Sequence, residues 1–136
     1  MRTPERSRGI AYPDFEQAVA FHAALVQRLG VTDWGPINES KLRSALERAK
    51  MSVEQRGDLI AAAAFLLFGL VRDQPFGKGS VEAGLALTLA FLLRHGCAIE
   101  APDEEIAGLS LAVADGEAYA GIVEQWMREY AAPARQ

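Results

Sequence analysis

Apolar residues between positions 15 and 29 recur every three or four residues, which is the spacing of one face of an α-helix. Asp14 is placed to cap the start of this helix, and Gly30 is placed to end it. The apolar face consists of Phe15, Ala18, Val19, His22, Leu25, Val26 and Leu29. We expect His22 to be a histidine at the edge of the core with one hydrogen-bond partner, in preference to a catalytic or ligand-binding histidine.

The middle of the chain predicts two further helices. Residues 31–36 have the composition of a turn, and a short helix follows that carries Leu42, Ala45, Leu46 and Ala49 on one face. Ser52 and Gln55 form a capping box for the next helix, which runs from Leu59 to about Arg72. Because that helix is apolar on nearly every side, we expect it to lie at the centre of the domain.

A turn containing proline and glycine, residues 73–79, follows the central helix; we call it the glycine loop. Ser80 then caps a second apolar helix, Val81 to His95, which Gly96 closes. Two more helices are predicted, one from Pro102 to about Ala114 and one from about Ala118 to Ala131 before Pro133. The last has an apolar stripe of Tyr119, Ile122, Val123, Trp126 and Tyr130. The prediction is an all-α bundle of about six helices around two buried central helices.

Length and composition narrow the class of protein further. A chain of 136 residues fits a single domain, which we place at residues 14–132, with a flexible basic arm at residues 1–13 and a tail at 133–136. The 14 basic residues are scattered among 18 acidic ones, which weighs against nucleic-acid binding. Cys97 is the only cysteine, so no internal disulfide and no zinc cluster is expected. The longest apolar run, residues 59–71, is too short to span a membrane. We expect a cytoplasmic protein.

The glycine loop is the first candidate functional site. Gly77 and Gly79 leave backbone N–H groups unshielded just ahead of a helix N-terminus, an arrangement that binds phosphate-like anions. Such loops are more often plain turns, and we favour that interpretation. A P-loop does not fit: the upstream glycine position holds Arg72, Lys78 precedes Gly79 rather than Ser or Thr, and the preceding segment is helical.

Three stretches together resemble the Fic/Doc (death-on-curing) family. They are residues 65–79, which end in Gln-Pro-Phe-Gly-Lys-Gly, the segment Phe91-Leu92-Leu93-Arg94-His95-Gly96, and the segment Val113-Ala114-Asp115-Gly116-Glu117. In that family a helix leads into a loop of the form His-Pro-Phe-x-Asp/Glu-Gly-Asn-Gly/Lys-Arg, and three more helices follow. The resemblance extends from about Asp14 to Tyr130 and implies the family's helical fold.

The resemblance also implies which residues of the loop have changed. Aligned on Pro75, Phe76 and Gly79, the general-base histidine falls on Gln74, the metal-binding acid on Lys78 and the asparagine on Ser80. The positions that bind phosphate fall on Val81 and Glu82. Gln74 has no titratable proton, Lys78 cannot bind Mg²⁺, and Glu82 repels a phosphate. We therefore expect no catalytic residue, no metal and no cofactor at this loop.

Three functions remain open at this point. The first is a binding or regulatory protein that keeps the fold, with an antitoxin-like protein as its partner. The second is an enzyme of altered chemistry, in which Lys78, Ser80, Glu82 and also His22 or Asp73 line a pocket. Lys78 and Glu82 could equally form a plain surface ion pair. The third is a toxin of a toxin–antitoxin system with residual transfer of AMP or a phosphoryl group. No Ser/Thr-x-x-x-Glu-Gly/Asn inhibitory helix is present, so any regulator is a separate protein.

Overall fold

The computed structural model describes residues 10–31, 34–56 and 58–134, and it leaves the side chains of residues 53–56 undescribed. This part of the chain contains six α-helices, and the all-α fold class is confirmed. Their bounds are α1 Phe15–Leu29, α2 Glu39–Arg56, α3 Leu59–Arg72, α4 Ser80–Arg94, α5 Asp103–Ala114 and α6 Ala120–Tyr130. A two-stranded sheet, β1 Cys97–Ile99 and β2 Ala131–Pro133, and one 3-10 turn, Gly77–Gly79, complete the described elements.

Both ends of α1 lie where the sequence predicts them. The Asp14 carboxylate accepts the Gln17 N–H at 2.8 Å, and the Gln17 side chain accepts the Asp14 N–H at 3.0 Å. This reciprocal pair is a capping box, which satisfies two N–H groups that the first helical turn leaves unbonded. Gly30 ends the helix in the left-handed conformation, with φ of 69°.

The boundary between α2 and α3 differs from the prediction. α2 is 18 residues long rather than short, and Ser52 lies inside it, where its hydroxyl donates to the Ala49 carbonyl at 2.8 Å. The cap of α3 is Asp58, whose carboxylate accepts the Ala61 N–H at 2.8 Å. The predicted capping box of Ser52 and Gln55 is therefore wrong, because Ser52 bonds within its own helix and Asp58 directly precedes the apolar run.

Helix α3 is the centre of the bundle. It contacts α2, α4, α5 and α6, and it is buried on nearly every side from Leu59 to Val71. Burial of apolar surface stabilises a domain by roughly 25 cal/mol for each Å² removed from water, so this helix supplies much of the core. The expectation of a central apolar helix is confirmed.

An ionic cluster fastens the start of α3 to α6. The Arg128 guanidinium contacts the Asp58 carboxylate at 2.8 Å and the Glu124 carboxylate at 2.6 Å. Burial alone would lower the pKa of Arg128, but hydrogen bonds to Glu124 and Asp58 outweigh it and raise that pKa. Asp58 therefore serves both as the cap of α3 and as the anchor of α6.

The C-terminal part of the chain also departs from the prediction. Helix α6 begins at Ala120 and ends at Tyr130, and residues 131–133 pair antiparallel with residues 97–99 instead of continuing the helix or forming a tail. Ala134 donates its N–H to the Gly96 carbonyl at 2.9 Å. The predicted apolar stripe is partly wrong, since Tyr119 and Ile122 are 64% and 40% exposed.

The segment before α1 is packed against α4. Ile10 is buried, the Ala11 N–H donates to His95 Nε2 at 2.9 Å, and Tyr12 stacks on Phe91 with ring centroids 6.2 Å apart. Residues 10–13, which we name the strap, therefore belong to the folded domain rather than to the predicted arm. The rest of that arm, residues 1–9, lies outside the described residues. Among the described helices, none has the length and apolar character needed to cross a membrane.

Candidate functional site

The glycine loop turns the chain sharply between α3 and α4. Gln74 has a positive φ of 55°, and Gly77 has a φ of 63°. A residue with a Cβ atom adopts this left-handed conformation at a cost in free energy, and the proline that follows further disfavours the right-handed helical region for Gln74. Pro75 and Phe76 are buried beneath the turn, and this burial holds the backbone in place.

The backbone N–H groups of residues 76–80 donate to oxygens of the protein itself. The pairs are Phe76 to Ser80 Oγ at 3.0 Å, Gly77 to the Gln74 carbonyl at 3.1 Å, Lys78 to the Trp34 carbonyl at 3.1 Å, Gly79 to the Phe76 carbonyl at 3.3 Å, and Ser80 to the Gly77 carbonyl. An anion at this loop would have to displace one or more of these bonds. The N–H groups of Gly77 and Gly79 are therefore not unshielded, since each already has a partner, and binding of an anion or another ligand at the loop stays a prediction.

Ser80 has a different role from the predicted one. It is the first residue of α4, and its hydroxyl accepts the N–H of Phe76 at 3.0 Å instead of capping the helix. Ser80 is only 2% exposed, so the Phe76 N–H has no water to replace this oxygen. The Ser80 hydroxyl therefore fixes the backbone of the loop on its buried side.

Trp34 covers the loop from above, and sequence reasoning assigned it no role beyond a turn. A Cβ atom added to Gly79 would lie 2.0 Å from Trp34 Cδ2, and one added to Gly77 would lie 2.4 Å from the Trp34 carbonyl oxygen. No side chain fits at those distances. The close approach of Trp34 is thus sufficient to explain the two glycines. The signal in the sequence was the pair of glycines itself, but it does not say what approaches them.

Residues 34–38, which we name the covering segment, are fastened to the loop at a second point. The Asn38 N–H donates to the Pro75 carbonyl at 2.8 Å, and the Asn38 side chain accepts the Lys41 N–H at 3.0 Å at the start of α2. Arg48 of α2 also forms an ion pair with Asp73. Since both side chains of that pair are partly exposed, it adds little stability, but it orients α2 over the loop.

His22 is the histidine nearest the loop. Its ring stacks on Phe76 with 4.7 Å between centroids, and the Trp34 ring lies 5.8 Å away. His22 Nε2 is buried and has no hydrogen-bond partner among the described residues, so the predicted partner is not found there. Burial lowers the pKa of His22 from its ordinary value of 6.5, which keeps the ring neutral at pH 7.

Three of the other predicted site residues lie at the surface. Gln74, Lys78 and Glu82 are exposed, and no ion pair joins Lys78 to Glu82. Two cavities open elsewhere on the described surface, one between the strap and α2 and one between α1 and α4, and no loop residue lines either. Within the described ranges, no three His, Cys, Asp or Glu side chains are grouped to hold a metal ion. The arrangement offers a rigid, closed turn with an exposed polar rim.

Comparison with known proteins adds no assignment. No protein-family model matches the chain, and no curated protein matches it. The function must therefore be argued from the loop and its surroundings.

Proposed function

We propose that this chain is a degenerate member of the Fic/Doc family that has lost nucleotide-dependent transfer and acts as a cytoplasmic binding or regulatory protein. Its partner in this proposal is an antitoxin-like protein. The proposal starts from the resemblance at Pro75, Phe76 and Gly79. It holds that the chain keeps the fold of that family but not the reactive side chains of the loop.

The observation that carries the proposal is the closed state of the loop. The N–H groups of residues 76–80 are bonded internally, and the Trp34 indole lies against Gly79. A phosphate-binding loop needs free amides and open space at its glycines. A closed loop of this kind favours a structural turn over a nucleotide site.

The side chains on the rim support the same conclusion. Gln74 occupies the position of the base and cannot accept a proton from a hydroxyl group at neutral pH. Loss of a general base alone reduces a rate by about 10²–10⁴. Glu82 adds negative charge where a phosphate would need a cation, and phosphoryl transfer depends mainly on neutralising that charge.

Nucleotide titration tests the loss of chemistry. Purified protein is heated with ATP, GTP, ADP and AMP, each with and without Mg²⁺, and the unfolding temperature is recorded. A ligand at about one hundred times its Kd would add about 2.7 kcal/mol of stability, so real binding is readily seen. We expect no shift with any of them. A shift together with transfer of label to protein would overturn the proposal.

A restored variant provides the matched control. It carries Gln74→His, Lys78→Asp, Ser80→Asn and Glu82→Arg, with Trp34→Ala to open the loop. Nucleotide binding gained by this variant, and absent from the natural chain, would attribute the loss to these positions. A variant with the four loop substitutions but with Trp34 retained would show how much the indole alone reduces nucleotide binding.

The partner is tested separately by co-expression with a candidate antitoxin-like protein. We expect a complex that survives size-exclusion chromatography at micromolar concentration. A chain that elutes alone, although the candidate is folded and present in excess, would contradict the choice of partner and leave the nucleotide result standing.

A further inference from the structure

A small cleft lies between α1 and α4, on a different part of the molecule from the glycine loop. Its volume is about 170 Å³, and residues of the strap form part of its wall. Phe21 of α1 and Leu87 and Phe91 of α4 supply its apolar surface. Leu87 and Phe91 are only 6% and 5% exposed, so they form a fixed floor rather than mobile surface side chains.

The size of the cleft limits what can enter it. An apolar cavity of about 150 Å³ in another protein holds one benzene molecule. A cleft of 170 Å³ therefore accepts a single aromatic ring or a short alkyl chain, and it is too small for a nucleotide base with its sugar. Contact with Phe21, Leu87 and Phe91 favours the apolar end of a ligand.

The rim of the cleft carries one cation. Arg94 lines it, is exposed, and forms no ion pair or hydrogen bond within the part of the chain that the structure describes. The planar guanidinium matches the two oxygens of a carboxylate. The C-terminal dipole of α4 disfavours an anion at this end of the helix, so the guanidinium is the group that would have to hold it.

We propose that the α1–α4 cleft binds a small amphipathic carboxylate, with its ring or alkyl chain against Phe21, Leu87 and Phe91 and its carboxylate at Arg94. Gln17, also on the rim, uses its side-chain oxygen to cap α1 and has its amide NH₂ available as a second donor. The site is independent of the proposed function, because no residue of the glycine loop lines it.

The test uses 3-phenylpropanoate as probe and follows backbone amide signals by NMR. We expect saturable shifts at Ala11, Phe21 and Ala90, which line or border the cleft. The matched alcohol, 3-phenylpropanol, has the same apolar end and should bind about two- to fivefold more weakly, since it cannot form an ion pair with the exposed guanidinium. Equal affinity for acid and alcohol would overturn the role of Arg94.

Variants separate the two halves of the site. Arg94→Gln should weaken binding about two- to fivefold, because Arg94 is exposed, while Arg28→Gln, an equal loss of charge at an exposed position in the last turn of α1, should leave it unchanged. Ala90→Leu keeps Arg94 but fills the cleft and should abolish binding. Unaltered binding by Arg94→Gln and Ala90→Leu, or no saturable shift in the natural chain, would refute the proposal.

One outcome would assign the cleft to a different occupant. If N-acetyl-Leu-Glu-amide saturates the same signals while 3-phenylpropanoate does not, the cleft receives a side chain of a protein partner, and the small-carboxylate proposal is wrong. Nucleotide titration of the glycine loop has a separate readout, so either proposal can fail without the other.

Discussion

The imidazole of His22 lies parallel to the ring of Phe76, with 4.7 Å between the ring centroids and 7° between the planes. The stack joins α1 to the glycine loop, and the Trp34 indole lies 5.8 Å from the same imidazole. His22 therefore contacts the aromatic residues that hold the loop closed, while its Nε2 atom has no partner within the described ranges. A buried polar atom in this position makes the stability of the loop sensitive to protonation.

Stability should fall when the solution is acidified below pH 6.5. Burial lowers the pKa of His22 in the folded chain from 6.5, so the unfolded chain binds more protons between the two pKa values. The contribution of neutral His22 is complete above pH 6.5 and is lost as pH falls through the lowered pKa. Urea unfolding of the natural chain and of His22→Phe, from pH 7.5 to about 5, measures this.

His22→Phe keeps an aromatic ring on Phe76 and removes the titratable group. Its free energy of unfolding should depend less on pH than that of the natural chain. All other side chains are the same in both proteins, so the difference between the two profiles reports on His22. Parallel pH profiles for the two chains would show that His22 does not carry the effect.

Removal of two buried hydroxyl groups should have different effects on the free energy of unfolding. Ser80 Oγ accepts the N–H of Phe76, so Ser80→Ala leaves a buried donor unsatisfied and should cost about 1–3 kcal/mol. Thr88 Oγ is buried without a partner among the described residues, so Thr88→Val should be neutral or stabilising. Chemical denaturation of both variants compares them. A larger loss in Thr88→Val than in Ser80→Ala would contradict this account.

How much of the fold can be predicted depends on whether the deciding contact is local. The ends of α1 follow from Asp14 and Gly30 because each acts on residues three or four positions away. The cap of α3 is predicted at Ser52 but lies at Asp58, since several residues in this stretch have capping chemistry and the choice between them depends on how far α2 extends. The pairing of residues 97–99 with residues 131–133 joins distant segments and leaves no local pattern.

The candidate site likewise has features that the local sequence predicts and features that depend on distant residues. Pro75, Gly77 and Gly79 were enough to locate a tight loop between two buried helices. That Trp34 fills the space above Gly79 and that its carbonyl accepts the Lys78 N–H depend on a segment about forty residues earlier in the chain. The sequence thus indicates where the backbone is crowded, but only the folded chain reveals the side chain responsible.

Two variants of Asp58 should separate what it contributes to stability as the cap of α3 from what it contributes as the ion-pair partner of Arg128 in α6. Asp58→Asn keeps an oxygen for the Ala61 N–H but loses the charge that pairs with Arg128, and we expect a loss below about 1 kcal/mol because the pair is partly exposed. Asp58→Ala loses the cap as well and should cost about 1–2 kcal/mol more. Thermal unfolding of both variants measures the two steps. Equal losses would mean that the cap contributes nothing.

Gly79 and Trp34 should be coupled when stability is measured by a double-mutant cycle. Gly79→Ala places a Cβ 2.0 Å from Trp34 Cδ2, so the indole must move, and overpacking of this kind costs about 1–3 kcal/mol. Trp34→Ala removes the obstruction, so Gly79→Ala added to it should cost almost nothing. Gly108→Ala is the control, because nothing lies within 4 Å of a Cβ there and alanine should stabilise α5 by about 0.5–1 kcal/mol. Additive losses at Gly79 and Trp34 would mean that the indole does not rest on the loop in solution. A coupling energy near the full cost of Gly79→Ala would instead show that the Trp34 indole accounts for that cost.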